Sequence, residues 1–176
     1  MKTTSTALTF AAAALLVTGA DATAQTASGT VNASATVLAY LDVNTVAHLD
    51  LGSITPGAGA TVTPGAAVGA GQAMGVLKLD HNADVIVAAA LPAGLSLAGA
   101  PDLPVSFSCG YSTASSGGLD GAAADCTALP NRTGNGDGST RTSYIQLGGS
   151  ILGPDTTGRI PGTYTGSVVF TVTATY

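Results

Sequence analysis

Side chains that carry most enzyme chemistry are sparse in this chain of 176 residues. Its 2 histidines, His48 and His81, are too few for a three-histidine zinc site. His48 lies in a strand-like stretch and His81 in a predicted turn, which favours ordinary polar roles over general-base catalysis. Gly148-Gly149-Ser150 lacks the second flanking glycine of a nucleophile elbow. We therefore predict a protein that is not an enzyme, with no cofactor and no bound metal.

Paired carboxylates are the other feature that a hydrolytic enzyme would need. Asp102, Asp120 and Asp125 are candidates, because glycoside hydrolysis requires two carboxyl groups at a set separation. Aspartate is equally typical of turns and solvated loops, and we favour this second interpretation. Segment 131–139 is rich in oxygen-bearing side chains, but it has no glutamate to complete a calcium-binding EF-hand loop.

Composition limits the classes of structure and partner. Charged residues make up 9% of the chain and hydrophobic residues 45%, whereas disordered chains show the opposite balance. A net charge of -5 disfavours nucleic acid and anionic membranes as partners. The chain has 24 glycines and no glutamate, which argues against an all-helical protein.

The N-terminus has the pattern of a secretory signal. Lys2 supplies a positive charge, residues 7–17 form an apolar run, and residues 22–24 (Ala-Thr-Ala) form a small-x-small cleavage site. We predict that residues 1–24 are a signal peptide and that 25–176 form one domain, exported through the periplasm to the cell surface or beyond. The apolar run is shorter than the ~20 residues of a membrane-spanning helix, so no transmembrane span is predicted.

Both cysteines, Cys109 and Cys126, lie in the predicted mature part of the chain. In an oxidising compartment, two cysteines this close in sequence are most simply explained by one disulfide. The segment between the strands on either side, 110–142, is rich in Ser, Gly, Ala, Asn and Asp. We predict that it forms a long surface loop with the disulfide at its base.

Alternation of polar and apolar residues is the clearest structural signal, and it indicates strands with one buried face. Segment 27–37 alternates from its first residue to its last. Its inward-facing residues would be Ala27, Gly29, Val31, Ala33, Ala35 and Val37. Segment 163–176 alternates in the same way, except at Val169. Its inward-facing core residues would be Tyr164, Val168, Phe170, Val172 and Tyr176.

Shorter strand candidates lie between these two segments. Their ranges are 43–51, 72–80, 84–91, 105–109 and 143–152. Turns rich in Gly and Pro separate them, with no helical crossovers. This arrangement is typical of an all-β antiparallel sandwich.

Three short motifs carry a family resemblance that spans nearly the whole predicted mature chain. They are LDLGSITPG at 49–57, LGGSIL at 147–152 and PGTYTGSV at 161–168. In this order they resemble a family of secreted bacterial domains of unassigned function, related to spore coat protein U and to archaic chaperone–usher pilins. The resemblance implies an immunoglobulin-like β-sandwich and a structural subunit of a surface fibre or coat.

In pilins of this type one strand is missing, and the N-terminal strand of the next subunit fills the groove by β-augmentation. The resemblance therefore implies self-association, with a periplasmic chaperone and an usher as further partners, and assigns 27–37 as the donor. Two alternatives stay open at this point. Segment 27–37 is equally suited to be the first strand of its own domain. The protein as a whole is alternatively a monomeric binding or adhesive module that uses the 110–142 loop.

Overall fold

The computed structural model describes residues 32–36, 38–134 and 138–175. The chain divides into two units, Met1–Thr36 and Val37–Tyr176. The described residues of the first unit, 32–36, are exposed and form no helix or strand. The predicted signal peptide, 1–24, lies outside the described residues.

The described part of the second unit is predominantly β, which confirms the predicted all-β class. Its strands are β1 (Leu41–Ala47), β2 (Ala60–Val62), β3 (Gly75–His81), β4 (Asp84–Ala90), β5 (Ser106–Ser112), β6 (Arg141–Ile151) and β7 (Val169–Thr175). A 3₁₀ turn at Cys126–Ala128 and a four-residue helix, α1 (Gly153–Thr156), complete the regular structure. All strand pairs are antiparallel.

Strand β6 is the centre of a five-stranded sheet. It pairs with β5 along one edge, since Ser106 lies opposite Ser150 and Cys109 lies opposite Leu147. Strands β3 and β2 follow one another along its other edge. Strand β1 pairs with the far side of β3, so among the described residues β1, β2 and β5 each pair with one strand of this sheet.

Strands β4 and β7 form a second, two-stranded sheet, with Val87 opposite Val172. Its alternation follows the sequence pattern, because Phe170 and Val172 are partly buried while Val169 and Thr171 are exposed. Both sheets contribute to one of two core clusters. Its buried members are Leu79, Val87, Cys109, Tyr111, Cys126, Leu129 and Ile145.

The last strand is shorter than the alternation predicts. It begins at Val169. Of the predicted residues 163–168, Thr165 pairs with Ser96 of the same chain through an isolated β-bridge. The partner strand β4 ends at Ala90, close to Pro92. Pro92 has no backbone N–H to donate to the ladder, and pairing resumes only at the Ser96–Thr165 bridge, two residues out of the β4–β7 register.

Other predicted strands recur with shifted ends. The ranges 72–80, 84–91 and 143–152 correspond to β3, β4 and β6. The range 43–51 corresponds to β1, which ends at Ala47 and is followed by an isolated bridge between Asp50 and Ala73. The range 105–109 extends to Ser112, so the first residues of the predicted 110–142 loop belong to β5. Strand β2 was not predicted, because three residues are too few to show a period.

Candidate functional site

A long groove runs along one side of the second unit. Its volume is about 1180 Å³. One wall is formed by alternate residues of β1, namely Val43, Thr45 and Ala47, and the opposite wall by residues 160–170, which lead into β7. The groove is therefore bounded by strands from different sheets.

Apolar side chains of the five-stranded sheet form the floor of this groove. Leu77, Phe107, Ile145 and Leu147 all line it. Ile145 is buried, whereas the other three are only partly buried although they pack against the core. A further strand that packed on this face of the sheet would cover these half-buried apolar side chains.

Both strands beside the groove have an edge that is free of strand pairing within 38–134 and 138–175. There β1 pairs with β3 alone, and β7 pairs with β4 alone. An edge of this kind presents a row of N–H and C=O groups, which makes it a template for another strand. The groove is thus lined by apolar side chains, and β1 and β7, which contribute to its lining, each have an unpaired edge among the described residues.

The corresponding edges on the other side of the molecule are covered by the segment after β5. Cys109 and Ala124 exchange two backbone hydrogen bonds of 2.8 Å, which cover the edge of β5. Val85 and Arg132 exchange bonds of 2.8 and 2.9 Å, which cover the edge of β4. Strand pairing by another chain is thereby blocked at these positions and left open beside the groove.

A small polar network holds this covering segment in place. The guanidinium of Arg132 forms an ion pair with Asp120 and lies 5.0 Å from the centre of the Tyr111 ring. Its Nε donates to Ser143 Oγ at 3.4 Å. Burial raises the pKa of Tyr111 above its ordinary value. The positive charge of Arg132 acts in the opposite direction, but its effect is smaller.

The predicted disulfide between Cys109 and Cys126 is confirmed. It joins β5 to the 3₁₀ turn at Cys126–Ala128, and both cysteines are fully buried. The crosslink therefore lies in the core, and Leu129 beside it is buried as well. The predicted surface loop thus has a buried middle portion.

Asp125 caps the 3₁₀ turn that carries Cys126. Its Oδ1 accepts hydrogen bonds from the Thr127 backbone N–H at 2.9 Å and from the Thr127 hydroxyl at 2.8 Å. These bonds, the backbone one first, lower the pKa of Asp125. A lowered folded-state pKa means that the charged cap stabilises the fold above the unfolded pKa of ~3.9 and that this contribution is lost as the pH falls through the folded value.

We therefore expect Asp125→Asn to unfold at lower urea concentration than the parent chain at pH 6. The difference should shrink as the pH falls through the folded-state pKa of Asp125, because the carboxyl group is then protonated. Urea unfolding at pH 6 and at a strongly acidic pH measures this change. An equal difference at both pH values would contradict the assignment of the effect to the charged cap.

Most of the site residues predicted from the sequence belong either to the C-terminal strand or to the predicted donor segment, 27–37. Tyr164, Val168, Phe170 and Val172 are partly buried, and the first three line the groove. Tyr176 lies outside the described residues. In the predicted donor segment Ala33 and Ala35 are exposed. The remaining residues of that segment, Ala27, Gly29, Val31 and Val37, lie outside the described part of the chain.

The two histidines that were considered for catalysis differ in burial. His81 is fully buried, with Nδ1 2.7 Å from the Ala83 carbonyl oxygen, and His48 is exposed. Among the residues that the structure describes, no group of three or more His, Cys, Asp or Glu is placed to hold a metal ion. Sequence reasoning missed Val43, Thr45 and Arg132, whose roles depend on contacts with distant segments.

Comparison with family models, with curated proteins and with solved structures finds no match to this chain. Within residues 32–36, 38–134 and 138–175, the structure contains no helix that is long and apolar enough to cross a membrane.

Proposed function

We propose that this protein is a non-enzymatic structural subunit of a bacterial surface fibre or coat, which assembles by strand addition. The observation that carries the proposal is the groove between β1 and β7, because it offers an apolar floor and two unpaired strand edges. The occupant that we propose is segment 27–37 of a second copy. This segment alternates over eleven residues, as a strand with one buried face does.

The covered edges on the other side favour a linear assembly. If β4 and β5 were also open, each subunit would offer several edges to its neighbours, and sheets would associate without limit. With those edges covered at Val85 and Cys109, we propose the groove as the acceptor and segment 27–37 as the donor in each copy. Such head-to-tail contacts build a fibre when they do not close into a ring.

The remaining features of the proposal rest on the sequence and on the two-sheet architecture. We propose an immunoglobulin-like sandwich related to archaic chaperone–usher pilins and spore coat protein U, with export directed by residues 1–24. The buried disulfide fits an oxidising compartment outside the cytoplasm. A periplasmic chaperone that covers the groove before assembly, and an usher, are the partners that this mode of assembly would need.

The first test is deletion of residues 25–36, which leaves the signal peptide in place. Protein from the cell surface is run on a denaturing gel with and without boiling. We expect the parent chain to give a ladder that collapses to one band on boiling, because each donor strand makes many main-chain hydrogen bonds and buries alternate side chains. The deletion should give a single band in both lanes while export continues.

A matched pair of substitutions tests the alternation itself. Ala33→Asp would place a charge on the face that enters the groove, and Ser34→Asp would place the same charge on the opposite face. We expect the first variant to lose the ladder and the second to keep it. A ladder that survives the deletion of residues 25–36 would overturn the proposed function.

A further inference from the structure

One stretch of the groove wall, residues 160–164, is held by a side-chain hydrogen bond. All five residues line the groove. Among the described residues, backbone–backbone hydrogen bonds stop at Arg159 and resume at Thr165, so none of them involves this stretch. The bond that closes it runs from the Tyr164 hydroxyl, which donates to the Ile160 carbonyl oxygen at 3.1 Å.

The residues on either side of this stretch are anchored by several hydrogen bonds. Arg159 Nε donates to the Asp155 carbonyl oxygen at 2.8 Å, and its Nη1 donates to the Pro101 carbonyl oxygen at 3.2 Å. Thr165 and Ser96 exchange backbone hydrogen bonds of 2.7 and 2.9 Å. The wall is therefore fixed at both ends, and the tyrosine hydroxyl holds the bend between them.

The ring of Tyr164 is itself held by the second core cluster. It packs against this cluster, whose buried members are Leu51, Val62, Met74, Val76, Leu103 and Ile151. The hydroxyl therefore ties the Ile160 carbonyl, four residues earlier, to a side chain that the core keeps in place. Pro161 and Gly162 form the bend between the two, and Pro161 has no backbone N–H with which to stabilise it.

This stretch also carries unpaired main-chain groups beside the groove. The backbone N–H groups of Ile160, Gly162, Thr163 and Tyr164 form no hydrogen bond with another described backbone group. Groups of this kind can receive an added strand. A wall that is ordered before binding favours this step, because ordering it during binding would cost conformational entropy.

We propose that Tyr164 is a positioning residue of the groove, whose hydroxyl holds residues 160–164 in place before a donor strand binds. This inference rests on the proposed function. The hydroxyl acts through the wall: its bond to the Ile160 carbonyl oxygen fixes the bend, and the main chain of the wall then meets the incoming strand. Without the hydroxyl, the wall would become ordered only during binding, and assembly would weaken.

The test compares Tyr164→Phe with the matched control Tyr144→Phe. Each substitution removes one hydroxyl group and keeps the ring. Tyr144 is partly buried against the same core cluster but does not line the groove. Each mature chain is unfolded, refolded at a series of concentrations and run on the gel with and without boiling. We expect Tyr164→Phe to need about fivefold more protein than the parent for the same ladder, and Tyr144→Phe to match the parent.

Trypsin gives a local readout that separates a loosened wall from a general loss of stability. The Lys and Arg residues of the predicted mature chain are Lys78, Arg132, Arg141 and Arg159. Local opening of 160–164 raises the rate of cleavage after Arg159 alone, whereas lower global stability raises cleavage at every site. In chains refolded at the lowest concentration, we expect faster cleavage after Arg159 in Tyr164→Phe and no change in Tyr144→Phe.

Two results would overturn this inference and leave the proposed function intact. One is a ladder in Tyr164→Phe that equals the parent ladder at every concentration. The other is a weakened ladder without faster cleavage after Arg159, because the hydroxyl would then act on the donor strand directly. A parent chain without any ladder would overturn the proposed function, and this inference with it.

Discussion

Replacing Val43 with aspartate is expected to abolish assembly while leaving the isolated subunit folded. Val43 lies on the wall of the groove, and 39% of its surface is exposed in the single chain, so a charge there remains hydrated. The proposed inserted strand, 27–37, would remove that charge from water and contains no Lys or Arg to pair with it. The penalty for such burial is several kcal/mol, and each ~1.4 kcal/mol weakens binding tenfold.

Val46→Asp is the matched control for this prediction. Val46 belongs to the same strand and is 52% exposed, but it does not line the groove. We expect Val43→Asp to reduce the ladder on the unboiled gel by about a hundredfold and Val46→Asp to change it little. Thermal unfolding of both variants should be close to that of the parent chain. Equal loss of assembly in the two variants would mean that the groove is not the acceptor.

Local sequence pattern was sufficient to predict much of the sheet structure. The alternation around Phe170 and Val172 predicts the two faces of β7 correctly, because a half-buried strand repeats every two residues. The pairing of Cys109 with Cys126 also follows from the sequence, since no other cysteine competes for either partner. The faces of β7 follow from the pattern of one short segment, and the disulfide follows from the number of cysteines.

Features that depend on distant contacts were not predictable in this way. The walls of the groove come from β1 and from residues 160–170, and neither segment shows from its own pattern that its edge is unpaired. The β7 ladder ends where its partner strand β4 ends, at Ala90, two residues before Pro92. The bridges from Ala124 and Arg132 to two different sheets follow from the three-dimensional path of a segment that looks like an ordinary loop in sequence.

The second large effect is expected when the disulfide is removed by Cys109→Ser with Cys126→Ser. The crosslink joins positions 17 residues apart. In the chain-entropy model a loop of this size contributes about 3 kcal/mol to the free energy of unfolding. The thermal midpoint should therefore fall by roughly 10 °C. A parallel pair of alanine substitutions separates loss of the crosslink from burial of two hydroxyl groups.

Loss of the disulfide should also change how the subunits associate. The crosslink anchors the segment whose Ala124 and Arg132 backbones cover the edges of β5 and β4. When this segment loosens, those edges become available for pairing, and we expect aggregates that form through them. Adding Val43→Asp to the cysteine variant should then remove the ladder but not the aggregates, because the aggregates do not use the groove. Aggregates that disappear together with the ladder would show instead that the covering segment does not protect these edges.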